Sequence, residues 1–283
     1  MKSLKPVLLF VSVLLAMLSS PPQALADGDL KSDYQGKVLT LRHFYEGDHL
    51  VFSADGTLAG RAAVGPWTVD GQIFVQTIEV KGRVLRIRGR RVCLIFDKKG
   101  PPRDVLEWMA ESTAADREKS EAAFRAKNVD IEVRLAAENP DAEELKAAMN
   151  AVFLGPGESM GDIVPDIWRG YFDKEGGGLR KSSYSGVVYT FKKGEISPPR
   201  RISGQEPGFS EDARISKYQG TMVISLVVDP SGTATDLAIM TPLGLGLDEK
   251  AVEAVRAWKF EPGTKDGQPV AVKTMVEVDF HLY

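Results

Sequence analysis

Leu85 and Ile87 alternate with Arg86 and Arg88, which is the period of a β-strand in a sheet with one face in solvent. From residue 37 to residue 97, short runs rich in Val, Ile, Leu, Thr and aromatic side chains are separated by turn signals such as Asp55-Gly56 and Asp70-Gly71. This spacing predicts an antiparallel β meander or barrel-like module over residues 30–100. Its expected strands are Lys37–Tyr45, His49–Ser53, Trp67–Val69, Ile73–Val80, Arg83–Arg88 and Arg91–Phe96.

The middle of the chain changes to helical spacing and then to a loop-rich composition. Val105–Lys127 contains no Gly or Pro and predicts a helix, and Asp130–Leu135 alternates like a short strand. Asp141 is placed to cap a second helix, which Gly155-Pro156 ends. We assign residues 101–198 to a helical and mixed linker segment.

The last part of the chain has the clearest periodicity. One face of a strand is expected to carry Met222, Ile224, Leu226 and Val228, and the final strand is expected to alternate apolar residues such as Val276 and Val278 with charged residues such as Glu277 and Asp279. Thr221–Asp229 predicts a strand, followed by a turn, a second strand at Thr233–Thr241, a helix capped by Asp248 and a final strand at Val270–Leu282. This order predicts a three-stranded antiparallel sheet with one helix packed on it, over residues 199–283. The fold class expected for the whole protein is therefore α+β.

The first 26 residues have the order of a secretory signal. Lys2 and Lys5 precede the apolar run Val7–Leu18, and Ala24-Leu25-Ala26 offers a small-residue cleavage site. The run is shorter than the about 20 residues that span a bilayer. We therefore expect residues 1–26 to be a cleaved signal peptide and the protein to reach the periplasm. The alternative is an inner-membrane protein anchored by residues 7–18.

Composition and charge exclude some functional classes. The chain of 283 residues contains 36 basic and 39 acidic side chains, so it lacks the basic excess that binds nucleic acid. Cys93 is the only cysteine and cannot form an intramolecular disulfide. Because it lies in an apolar run, we expect it to be a buried and unreactive thiol.

Candidate chemistry in the sequence is weak. Residues 157–161 match the string around a hydrolase nucleophile, with Ser159 in its centre, but they follow a helical pattern instead of a strand. His43 and His49 flank acidic residues, yet their spacing fits no zinc signature. We therefore predict no catalytic residue, no metal site, no cofactor and no enzymatic activity.

Several separated motifs near the C-terminus occur in a recognisable order. They are Gln219-Gly220-Thr221, Asp229-Pro230-Ser231-Gly232, Leu247-Asp248, Ala251-Val252, Ala254-Val255, Trp258-Lys259-Phe260-Glu261-Pro262 and Gly267-Gln268-Pro269-Val270. Residues 203–283 thereby resemble the C-terminal domain of the TonB energy-transducer family. Phe209-Ser210 stands where that family usually has Tyr-Pro, so the following helix loses its first-turn proline. The strands around Trp67-Thr68 resemble an extra periplasmic module ahead of such domains.

The resemblance implies a binding function. An edge strand can accept an extended peptide as an added strand, and the TonB family engages a segment of an outer-membrane receptor in this way. The residues expected at this edge are Val270, Val272, Lys273, Met275, Glu277, Asp279 and His281. The motif residues expected to be structural are Asp229, Gly232, Trp258, Phe260 and Pro262.

Two alternatives to receptor binding follow from the residues. The terminal strand could pair with a second copy of the chain to form a homodimer, or merely complete the sheet. The protein could also belong to a different functional class, the periplasmic carriers. The strands of residues 37–97 would then enclose a small apolar ligand. Neither alternative requires a catalytic group.

Overall fold

The computed structural model describes residues 30–97, 101–111, 114–172 and 184–282. The predicted signal peptide lies outside these residues. Within them, no helix combines the length and the apolar character that a membrane crossing needs.

The elements that precede residue 173 form the first part of the fold. In chain order they are β1 (Val38–Thr40), β2 (His49–Ser53), α1 (Trp67–Asp70), β3 (Gln72–Lys81), β4 (Val84–Arg91), β5 (Leu94–Ile95), β6 (Arg103–Asp104), α2 (Val105–Ala110), α3 (Ala114–Arg125), β7 (Asn128–Arg134), α4 (Ala142–Val152), α5 (Met160–Ile163) and α6 (Asp166–Phe172).

The remaining elements follow residue 184. They are β8 (Val188–Thr190), β9 (Arg200–Ser203), α7 (Glu211–Ile215), β10 (Gly220–Val228), β11 (Ala234–Thr241), α8 (Leu247–Ala257), β12 (Lys259–Glu261), β13 (Thr264–Lys265), β14 (Gln268–Pro269) and β15 (Ala271–Phe280).

Five strands form the first sheet, in the order β1-β3-β4-β7-β2. Its neighbours are antiparallel except β2 and β7, which run parallel. Leu85 and Ile87 of β4 are buried in a core that α4 covers, whereas Arg88 lies on the solvent face and bonds Asp130 of β7 at 3.3 Å. The predicted alternation of apolar and arginine side chains is therefore confirmed.

This sheet corrects the predicted meander. β7 comes from the segment that the sequence predicted as linker, and it lies between β4 and β2 in an open mixed sheet. Trp67–Val69, predicted as a strand, begins helix α1 after Pro66, and all three residues are buried. An apolar run of three residues has no period, so its sequence cannot distinguish the two structures. The predicted helix Val105–Lys127 is divided into α2 and α3.

Four strands form the second sheet, in the order β11-β10-β15-β8. β10 is antiparallel to both of its neighbours, whereas β8 is parallel to β15. The predicted three-stranded antiparallel sheet is therefore extended by a strand that the sequence analysis missed. Helix α8 packs on this sheet through a buried stripe of Leu247, Ala251 and Val255.

The C-terminal sheet shares its hydrophobic core with elements of the first part of the chain, whereas the five-stranded sheet is buried in a separate core. Buried residues of β5 and of α1 belong to the same cluster as those of β10 and α8. Backbone hydrogen bonds join the parts, since Phe96 N donates to Leu243 O at 2.8 Å and Leu245 N donates to Leu94 O at 2.9 Å. The C-terminal domain is thus packed directly on the preceding part of the chain.

The start of helix α8 differs from the prediction. Gly246, with φ of 74°, is the N-cap, and Asp248 lies within the first turn. The Asp248 carboxylate is fully buried and accepts hydrogen bonds from Leu243 N at 2.9 Å and Gly244 N at 2.6 Å. Asp248 therefore fixes the loop that enters the helix instead of capping the helix itself.

Candidate partner-binding edge

Side chains alternate along β15 as the sequence predicted. Val272, Val278 and Phe280 are buried in the core, whereas Met275, Glu277 and Asp279 are exposed on the other face. Met275 is the most exposed apolar side chain of the strand, at 63%. The outer face of β15 therefore offers one apolar and several charged side chains to a partner.

The backbone direction of β10 can be derived from its hairpin with β11. Asp229 N donates to Thr233 O at 3.0 Å, and Val227 O accepts a bond from the Thr235 hydroxyl at 3.2 Å. Odd-numbered residues of β10 in this region thus direct their backbone groups toward β11. Because backbone direction alternates along a strand, the even-numbered residues face β15.

The register of β10 with β15 transfers this alternation to β15. Val228 pairs with Val272 and the pairing continues without a shift to Gly220 and Phe280. Even-numbered residues of β15 therefore bond β10, and the backbone groups of odd-numbered residues such as Glu277 point to the opposite side. This opposite side is where an added strand would bind.

Part of that side is already occupied. β8 pairs with Ala271–Lys273, with Tyr189 opposite Val272. The predicted edge of Val270–Leu282 is therefore too long, because the Val272 and Lys273 region carries a strand of the same chain. Val270 and His281 lie outside β15. Within the described residues, Thr274–Phe280 is the part of β15 that pairs with β10 alone.

At the opposite edge of the sheet, strand β11 is covered by helix α6. Gly170 lies so close to β11 that an added Cβ would be 3.0 Å from the Ala238 Cβ. Trp168 of the same helix enters the core and donates from Nε1 to Glu249 of α8 at 2.9 Å. Since α6 packs along β11, the β15 side is the better candidate for strand addition.

The C-terminal end of β15 is held in place. Asp279 accepts a hydrogen bond from the Thr221 hydroxyl of β10, so this carboxylate has a partner within the sheet. Leu282 N donates to the Gln219 side chain at 2.7 Å. The strand is therefore ordered before any partner binds, which reduces the entropy lost on binding.

The motif residues occupy structural positions. Trp258 is buried and donates from Nε1 to Gln205 O at 2.8 Å. Asp229 accepts from the backbone of the following turn, where Gly232 has φ of 79° and bonds Phe260 N through its carbonyl at 3.0 Å. Phe260 is buried and Pro262 is half-buried next to it. Any Cβ at Gly232 would collide with the Phe260 carbonyl.

The candidate chemical groups of the sequence do not assemble. Ser159 is the exposed N-cap of α5 and accepts a hydrogen bond from Gly161 N at 3.1 Å. His43 and His49 are exposed, and the described residues contain no group of three or more His, Cys, Asp or Glu that could hold a metal. Burial raises the pKa of the Cys93 thiol to about 12. Such a thiol is protonated at neutral pH, as its unreactive role requires.

A cleft lies where the first sheet meets the C-terminal domain. Its volume is about 290 Å³, and its charged lining includes Glu46, Asp70, Lys127 and Asp212. Lys127 forms an ion pair with Asp212. Pro66, Val69 and Leu245 line the cleft as well, so its walls are both charged and apolar.

Two elements at opposite edges of the second sheet are not predicted by the sequence. β8 and α6 both lie in the stretch that was interpreted as loop. Residues 187–191, Val-Val-Tyr-Thr-Phe, are rich in β-forming side chains, and this signal could have indicated β8. α6 is short and aromatic, and its sequence carries no clear helical period.

In the part of the chain that the structure describes, β15 pairs with β10 alone over Thr274–Phe280. Comparison with known proteins identifies the domain to which this strand belongs. Residues 205–282 match the family model described as the C-terminal of the Gram-negative bacterial TonB protein. The C-terminal part of this chain is therefore a TonB C-terminal domain, as the motifs predicted.

Curated relatives share this region. Protein TonB of Vibrio cholerae serotype O1 is 30% identical over 89 residues, which cover 31% of this chain and 36% of that protein. Protein TonB of Xanthomonas campestris pv. campestris strain B100 is 31% identical over 77 residues, covering 27% and 34%. The chain thus spans about a third of the length of these relatives.

One solved structure also matches. The solution NMR structure of the Pseudomonas aeruginosa TonB CTD is 16% identical, with 33% of this chain and 95% of that chain covered and a TM-score of 0.25. That superposition is too weak to describe the fold.

Proposed function

We propose that this protein is an exported, non-enzymatic component of envelope transport with a TonB-like role. A TonB C-terminal domain is not an enzyme, and the curated relatives that share it are named Protein TonB. The partner is a short extended segment of an outer-membrane transporter, and it binds as an additional strand along β15. We expect the protein to be periplasmic after removal of residues 1–26.

One observation carries the proposal. Between Thr274 and Phe280, β15 pairs with β10 on one side, and the backbone groups of its odd-numbered residues face the other side. Unpaired N–H and C=O groups on an ordered strand are a template for main-chain hydrogen bonds with a peptide. Exposed Met275 and Glu277 lie beside them and can contribute selectivity.

Site-specific cross-linking in cells tests this proposal. A photoreactive amino acid replaces Met275, and the matched control replaces Val64, which is similarly exposed at 65% but belongs to the first part of the chain. We expect the Met275 position to capture an outer-membrane protein that the Val64 position does not capture. Capture of a second copy of this chain alone would instead support the homodimer, and equal products at both positions would contradict the proposed edge.

A further inference from the structure

Strand β8 is much shorter than the edge on which it lies. It forms three residue pairs with β15, whereas β10 forms nine pairs with the same strand. By the alternation derived above, the outward backbone groups of Ala271 and Lys273 are directed toward Tyr189. β8 therefore fills the first part of the edge and leaves Thr274–Phe280 beyond it.

None of the three side chains of β8 is fully buried, since Val188 and Tyr189 are half-buried and Thr190 is exposed. Val187 and Phe191, which flank the strand, are 69% and 56% exposed. Tyr189 is half-buried, and its ring lies 4.9 Å from the Lys265 ammonium. A strand with little buried apolar area and few pairs belongs to the least stable part of a fold. Undocking of β8 consequently requires little free energy.

The segment after β8 is held more firmly. Ile196 is buried, Ser197 N donates to Thr264 O at 2.9 Å, and the Ser197 and Thr264 hydroxyls are 2.9 Å apart. Because the segment that follows β8 stays anchored, an undocked β8 remains close to β15. A tethered strand has a high effective concentration and rebinds readily.

Phe191 lies at the boundary between the occupied and the free part of the edge. Continuing the parallel register by one residue places Phe191 beside Thr274, where the free edge begins. A partner strand that binds Thr274–Phe280 and continues toward Ala271 must therefore meet Phe191 and β8.

We infer that β8 is an internal competitor of the partner, a strand that closes the first part of the binding edge until it is displaced. This inference rests on the proposed function, because it regulates the same edge. The apparent affinity for an added strand then equals the intrinsic affinity multiplied by the fraction of molecules in which β8 is undocked, so it is low while that fraction is small. Release of β8 opens a continuous edge from Ala271 to Phe280.

Two proline variants separate this role from a general disturbance of β8. Tyr189→Pro removes the N–H that faces β15, whereas Thr190→Pro removes an N–H that faces away from it by the same alternation. Hydrogen exchange should show faster exchange at Ala271–Lys273 in Tyr189→Pro only. The thermal transition of both full-length variants should remain close to that of the wild type.

The probe is a fluorescent peptide with the sequence of residues 185–193, which contains β8 itself. Measured by fluorescence anisotropy, it should bind Tyr189→Pro at least about tenfold more tightly than the wild type or Thr190→Pro. Equal affinity for all three proteins would overturn the inference. Failure to bind Tyr189→Pro after hydrogen exchange has shown release would overturn it as well, because the emptied edge would then accept no strand.

The cross-linking experiment distinguishes this inference from the proposed function. If an outer-membrane protein is captured at Met275 equally in the wild type and Tyr189→Pro, and the peptide affinities are also equal, the function stands and the internal competitor fails. If the peptide binds Tyr189→Pro selectively but Met275 captures no outer-membrane protein, β8 controls the edge and the assigned partner is wrong.

Discussion

The hydroxyl of Tyr218 donates a hydrogen bond to the carbonyl oxygen of Phe96 at 2.8 Å, across 122 positions of sequence. Tyr218 follows α7 in the C-terminal domain, and Phe96 follows β5 in the first part of the fold. The Tyr218 ring also packs edge-on against Trp108, with centroids 5.2 Å apart. This buried bond and the core that β5 and α1 share with the C-terminal sheet predict that the two parts unfold together.

Replacement of Tyr218 by Phe tests this hydrogen bond between the two parts of the fold. The variant leaves the Phe96 carbonyl without its donor, so the free energy of unfolding should fall by about 1 to 3 kcal/mol. Urea denaturation should still show one transition for both parts. Tyr189→Phe, at a half-buried ring, should change stability by less than about 0.5 kcal/mol. Two separate transitions in the wild type would contradict the shared core.

Trp258 should be the strongest single anchor of the C-terminal core. It is 3% exposed, and the Arg201 guanidinium stacks 3.7 Å from its ring centre. Trp258→Ala should cost about 3 to 5 kcal/mol. Because the buried cluster around Trp258 also contains residues of β5 and α1, a single transition at lower temperature is expected. Met275→Ala is the exposed control, and an equal loss of stability in both variants would contradict the anchoring role.

Asp70 should make the stability of the junction dependent on pH. Burial raises the pKa of its carboxyl to about 6, although Arg91 and Lys127 oppose this shift. Glu46 and Asp212, the acidic groups that face it, act in the same direction as burial. The folded state thus holds the proton more tightly than the unfolded state does. This contribution to stability is present below about pH 4 and is lost as the pH rises through 6.

Asp70→Asn isolates that contribution. The amide stays neutral, so the variant should lose less stability than the wild type between pH 4 and 7, by an amount on the order of 1 kcal/mol. Arg91 keeps hydrogen bonds to Tyr45 O at 2.8 Å and Gly47 O at 2.9 Å, which support the variant fold. Denaturation curves at several pH values measure the difference. Parallel pH profiles for both proteins would show that Asp70 titrates normally.

The signal sequence gives a further prediction. If Ala24 and Ala26 form the cleavage site, the mature protein begins at Asp27. Mass spectrometry of the protein purified from its native envelope should find this N-terminus. A chain that retains residues 7–18 would instead support the membrane-anchored alternative.

Elements with a long and regular period could be predicted from the sequence. The one-sided burial of Met222, Ile224 and Leu226 in β10 is confirmed, as is the Asp141 cap of α4, which accepts from Glu144 N at 2.8 Å. Phe209, which stands where the family usually has Tyr, packs edge-on against Phe280 with ring centroids 5.4 Å apart.

Elements that depend on distant partners could not be predicted in this way. β7 alternates as a strand should, but nothing in its own residues shows that it lies between β4 and β2. β8 has three residues, and its pairing with β15 depends on a segment more than eighty positions away. The true extent of the binding edge therefore required the structure, because strand pairing is non-local.

The most direct test of strand addition changes Glu277 in two ways. By the alternation of β15 its N–H points away from β10, so Glu277→Pro removes a donor of the free edge, whereas Glu277→Ala removes only the side chain. Both variants are first shown to retain the wild-type fold. Co-purification then measures binding of the outer-membrane protein that cross-links at Met275. The account predicts that Glu277→Pro loses at least about tenfold in affinity while Glu277→Ala stays within about twofold. Equal loss in both variants would indicate side-chain recognition, and no loss in either would place the partner elsewhere on the molecule.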